Sequence, residues 1–163
     1  MSVSNLLQPN NLDIYVKSIN NQTYSKALGT IYNSSVITPT LSNTWTKLLS
    51  VLVSKTLVNF ANNNDSSLTY TGLTPVNVLV TACVSLAPTV GCNFIVGLSK
   101  NNIAPSDTSG SQIIVATGGV SYNFAPASTF QLVTGDTLQI VVYTAGTPTN
   151  ITTNYATLSA ISL

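Results

Sequence analysis

The stretch Val76–Pro88, VNVLVTACVSLAP, decides the fold class of this chain. Read with a period of two, it places Val76, Val78, Val80, Ala82, Val84 and Leu86 on one side. Asn77, Leu79, Thr81, Cys83 and Ser85 fall on the other. Successive side chains of an extended chain point to opposite faces, so one face is wholly apolar and the other mixed. That is a strand with one face on a core.

The pattern repeats downstream. Phe94, Val96 and Leu98 alternate within Cys92–Ser99, and Leu138, Ile140 and Val142 stand opposite Thr137, Gln139 and Val141. Further candidate strands are Thr44–Val53, Thr56–Ala61, Ser67–Thr71, Gln112–Ala116, Ser121–Phe124 running toward Leu132, and Ile151–Leu163. Turn residues separate them: Asn62-Asn63-Asn64-Asp65, Ala87-Pro88, Lys100-Asn101-Asn102, Ser109-Gly110, Gly118-Gly119 and Gly135-Asp136. About eight strands and no helical periodicity predict an all-β sandwich or barrel over residues 41–163, and the one strongly apolar face of each long strand favours the sandwich. Residues 1–40 carry two short apolar strips, Leu12–Val16 and Ala27–Tyr32, between Asn- and Ser-rich connectors. They read as an N-terminal extended arm, or as short strands that need something else to pack against, anchoring the domain to a neighbour.

Composition narrows the chemistry. The 163 residues hold five Lys and four Asp but no Arg, Glu or His, and the charged fraction is 6%. Ser, Thr and Asn supply 61 residues, so the polar surface is neutral and nearly indifferent to pH and salt. Without His there is no base for a Ser or Cys nucleophile and no His cluster for a metal-dependent jelly-roll enzyme. The four aspartates, Asp13, Asp65, Asp107 and Asp136, lie far apart in sequence with no calcium-loop spacing. The expectation is a protein that is not an enzyme and has neither metal nor cofactor. The lysines at 17, 26, 47, 55 and 100 are scattered, which argues against direct nucleic-acid binding. The first residues have no basic, apolar leader pattern, and the apolar run Val76–Ala87 is too short to cross a bilayer as a helix.

The runs NFANNNDSSLTYTG (Asn59–Gly72), VNVLVTACVSLAP, GCNFIVGLSKNN (Gly91–Asn102), FQLVTGDTLQIVVYT (Phe130–Thr144) and the terminal NITTNYATLSAISL resemble small jelly rolls. They look like the tumour-necrosis-factor-like and complement-head-like β-sandwiches found in viral capsid, spike and fibre-head proteins. The step Leu-x-x-Gly-Asp-x-Leu-x-Ile, here Leu132–Ile140, precedes the penultimate strand in that group. A buried last strand closes it, which Leu158, Ala160, Ile161 and Leu163 would supply. The opening NNLDIYVKSINNQTY also resembles the starts of small structural proteins of large DNA viruses. The resemblance implies trimerisation about a threefold axis with one sheet lining the contact, and no catalytic site.

The expectation is therefore a virion structural protein on the capsid surface: a trimeric spike or fibre-head component that acts by self-assembly. Its arm would engage other capsid or fibre proteins, without contacting nucleic acid or membrane. An icosahedral shell subunit is one alternative. A head that binds a host receptor or glycan is another, and it predicts exposed aromatics, from Trp45 and the tyrosines at 15, 24, 32, 70, 122, 143 and 155, clustered at one end. At the Gly135-Asp136 step, glycine supplies an unusual backbone angle and the carboxylate accepts N–H groups, so both read as a structural turn. Cys83 and Cys92 flank Ala87-Pro88. A tight hairpin there would oppose them for a cross-strand disulfide, and otherwise they are buried free thiols.

Overall fold

The computed structural model describes residues 27–33, 36–40, 43–49, 53–103 and 110–163. Among these the strands are β1 (Leu28–Asn33), β2 (Val36–Pro39), β3 (Trp45–Lys47), β4 (Val53–Val58), β5 (Phe60–Asn62), β6 (Ser67–Tyr70) and β7 (Val76–Pro88). They continue with β8 (Cys92–Lys100), β9 (Gly110–Ala116), β10 (Tyr122–Phe124), β11 (Ala127–Leu132), β12 (Thr137–Ala145) and β13 (Asn150–Ser162). A seven-stranded sheet runs β10-β7-β13-β1-β4, with β11 also beside β7 and β2 beside β13. A six-stranded sheet runs β5-β6-β12-β8-β9, with β3 also beside β12. Every pairing is antiparallel, and the two sheets form the expected all-β jelly-roll sandwich.

The alternation read from the sequence is the core. Val78, Val80, Ala82, Val84 and Leu86 of β7 are buried against Phe94, Val96 and Leu98 of β8 and Leu138, Ile140 and Val142 of β12. Each of the Val, Leu, Ile and Phe side chains contributes about 1.5–3 kcal/mol by leaving water. Asparagine abundance has a backbone use as well. Asn43, Asn59, Asn64, Asn101 and Asn102 all have positive φ, where short polar side chains are tolerated better than other non-glycine residues.

The terminal strand changes phase. Ile151 and Thr153 face inward, a register shift follows between Thr153 and Tyr155, and Ala156, Leu158 and Ala160 then face inward. One extra residue in a bulge moves every later side chain to the other face. Ile161 and Leu163, expected in the core, are therefore 51% and 70% exposed.

The sandwich also begins earlier than residue 41. Strand β1 lies between β13 and β4, and β2 pairs β13 at Asn150–Thr153. Ala27 is buried in the core, and a side chain at Gly29 would meet Leu68 and Phe60 of the other sheet at 3.0 and 3.1 Å. The arm reading thus does not hold for residues 27–33 and 36–40, whose strands complete the sheet beside β13. Residues 1–26 lie outside the described residues. Deleting residues 1–40 is expected to leave β13 with an open flank and abolish the cooperative thermal transition by circular dichroism, whereas a detachable arm would leave that transition in place.

Candidate functional site: an uncharged sheet face

The outward residues of the seven-stranded sheet converge from strands far apart in sequence. Register places Thr129 of β11 opposite Leu79 of β7, Leu79 opposite Ile161 of β13, Ile161 opposite Leu28 of β1, and Leu28 opposite Val58 of β4. This row crosses the whole sheet, and Leu79, Ile161 and Val58 are exposed. Beyond it lie small neutral residues, with Ala127 opposite Thr81 and Thr81 opposite Ser159. Cys83 stands opposite Thr157. Farther along, Cys83, Ser85, Asn123, Ala125 and Tyr155 border a mainly apolar hollow of about 280 Å³, with Tyr155 48% exposed. Lys55, on the edge strand β4, is the one charged residue in the seven strands of this sheet. The face can bury itself with little cost from desolvating charge.

The two ion pairs among the described residues lie on the other sheet and its turns. Lys47 on β3 meets Asp65 at 2.7 Å, and Lys100 at the end of β8 meets Asp136 at 3.3 Å. The Gly135-Asp136 step is a turn with Gly135 at φ 92°. Asp136 is buried and ties three strands together. Its Oδ2 accepts the Val133 N–H at 2.9 Å and Lys100 Nζ, and its Oδ1 accepts Asn101 Nδ2 at 2.6 Å. The backbone of Tyr70, at the end of β6, exchanges hydrogen bonds with Gly135 and Asp136, each at 2.8 Å. Burial opposes ionisation of Asp136, but the hydrogen bonds from Asn101, Val133 and Lys100 and the lysine charge outweigh it, holding the carboxyl below its ordinary value. Asp65 is likewise lowered: burial works against it, and Lys47 and Ser67 prevail. The chemistry of the turn is structural, since every acceptor direction named here ends on the protein's own donors.

The cysteines do not meet as a disulfide pair. β7 pairs with β10, β11 and β13, whereas β8 pairs with β9 and β12, so the chain crosses between sheets after Pro88 instead of folding back as a hairpin. Cys83 points outward and is exposed, contrary to the buried-thiol reading, while Cys92 is buried; both are free. Burial pushes the Cys92 thiol up. Among the described residues no three Cys or Asp side chains group as a metal site, and no helix is long and apolar enough to cross a membrane.

The aromatics divide by location. Tyr70 packs edge-on against Phe60, and Tyr122 against Phe94, on the core side. Tyr155 stands on the uncharged face, and Trp45 pairs with Tyr143 on the six-stranded sheet. Among the described side chains, which do not include that of Tyr32, they do not form one cluster at an end of the sandwich. Tyr15 and Tyr24 lie outside the described residues.

No protein-family model matches the chain, and no curated protein matches it. Solved structures do. The globular domain of zebrafish complement 1qA superposes with a TM-score of 0.51 at 13% identity, covering 83% of this chain and 96% of that one. Murine APRIL, solved at pH 5.0, gives 0.48 at 9% identity, covering 83% and 99%. The complement 1qA likeness establishes the fold alone: a complement-head-like jelly roll.

Proposed function

We propose that this chain is a structural head domain that acts without catalysis by assembling into a homotrimer, with the seven-stranded sheets facing one another around a threefold axis. The observation that carries the reading is the uncharged outer face, crossed by the row from Thr129 through Leu79, Ile161 and Leu28 to Val58. An uncharged face with a row of exposed apolar side chains is one a chain can hide against a copy of itself. The trimer implied by the family resemblance uses one sheet in the same way.

We place this head on the surface of a virion, as a spike or fibre-head component anchored through the residues that precede β1. The resemblance to viral jelly rolls supports that placement. So does a surface built from neutral hydroxyls and amides, whose hydration changes little with pH or salt. Size-exclusion chromatography with light scattering tests the assembly. The expected mass is three chains; a stable monomer at micromolar concentration would sink the reading, and a closed particle would move it to a shell subunit.

A further inference from the structure

We propose that the Trp45–Tyr143 pair on the six-stranded sheet is a binding site for a neutral saccharide. Antiparallel register sets Trp45 of β3 opposite Tyr143 of β12, and Tyr143 opposite Ile95 of β8. All three are half-buried on the outward side of that sheet, because the residues flanking Tyr143 on β12, Val142 and Thr144, point into the sandwich. The Trp45 and Tyr143 ring centroids are 5.3 Å apart with planes inclined by 49°. Two rings inclined this way make an angled surface: one lies against the flat side of a sugar ring while the other borders its edge.

The chemistry matches a saccharide on three counts. A pyranose carries C–H groups of slightly positive character on its faces, complementary to the negative face of an aromatic ring. Its rim is hydroxyls, and amides flank the rings: Tyr143 Oη donates to Asn43 Oδ1 at 3.2 Å, and Asn93 sits opposite Ala145 in the next row. Lys47, one row away on β3, is already held by Asp65 at 2.7 Å, so the one described cation beside the rings is paired and does not select an acidic sugar. The site is on the opposite sheet from the self-association face, and the inference does not depend on the trimer.

Trp45 is the single tryptophan among seven tyrosines, so fluorescence excited selectively at the red edge of indole absorption reports on this residue. Titration with lactose, maltotriose and triacetylchitotriose at millimolar concentrations is expected to give a saturable change with at least one of them. Tyr143→Ala, checked for native circular dichroism, should weaken that binding about tenfold, the loss expected from removing one stacked ring. Should that variant not fold, Trp45→Phe, read by calorimetry, is expected to weaken binding severalfold. No saturable response to any neutral sugar would overturn the proposal. So would binding unaltered by these variants, or a response confined to the acidic probe sialyllactose.

Discussion

Ile161→Lys is expected to yield a folded monomer, against the trimer proposed for the unmodified chain. Ile161 sits at the middle of the apolar row, opposite both Leu79 and Leu28, and is half exposed in the single chain. A lysine there can lay its stem along the sheet and keep its ammonium in water, so the isolated domain stays intact. Once the face is covered, the same ammonium has no anion on a sheet whose one charge is Lys55. Burying an unpaired charge costs several kcal/mol, and about 3 kcal/mol per contact weakens each by more than ~100-fold. Leu73→Lys is the control, since Leu73 is 91% exposed in the loop before β7, off the face. Light scattering should find a monomer for Ile161→Lys and a trimer for Leu73→Lys. Trimers in both would show that this face is not the contact.

The second large effect falls on stability. Asp136→Ala removes the acceptor for Val133 N–H, Asn101 Nδ2 and Lys100 Nζ at once. Stranding buried donors and an ammonium is expected to cost about 3 kcal/mol, or about 10 °C in Tm for a chain of this size. Asp136→Asn should recover little, because donors approach both carboxyl oxygens and the new amide turns one acceptor into a donor. Thermal melts that place either variant within a degree or two of the parent would show the turn to be dispensable.

The same geometry sets the pH response. Asp136 and Asp65 are held below the ordinary value of 3.8 in the folded chain. As pH falls, the unfolded chain therefore takes up their protons first. The stability they contribute is complete above that value and is lost as the pH drops through the lowered folded values. With no His or Glu in the sequence, no side chain has its ordinary titration between about pH 5 and 8, so Tm should be flat there and fall only in acid.

The neutral surface, the strand alternation and the Gly135-Asp136 turn are local properties, and they were legible in order along the chain. Val76–Leu86 shows its core face because a period of two needs no partner to be recognised. Residues 27–40 were harder, since short strips such as Leu28–Asn33 resemble an arm until β13 is known to lie beside them. Asp136 announced a turn but not its partners, for Lys100 and Asn101 lie 36 and 35 residues away. The disulfide reading failed for a related reason: whether two strands form a hairpin or separate into different sheets depends on what else each one pairs with.

Composition and local pattern by themselves determined that this is a β-sandwich with a neutral exterior and no histidine-based chemistry. Tertiary structure decided which faces acquired meaning. Leu28, Val58, Leu79, Thr129 and Ile161 form a row only because five strands align in register, and Ile161 joins it because a bulge in β13 reverses the strand's phase. Trp45 and Tyr143 become neighbours across 98 residues through the pairing of β3 with β12. Alternation is written in each strand, whereas a surface is the product of pairing, and pairing is fixed by the burial of the whole chain at once.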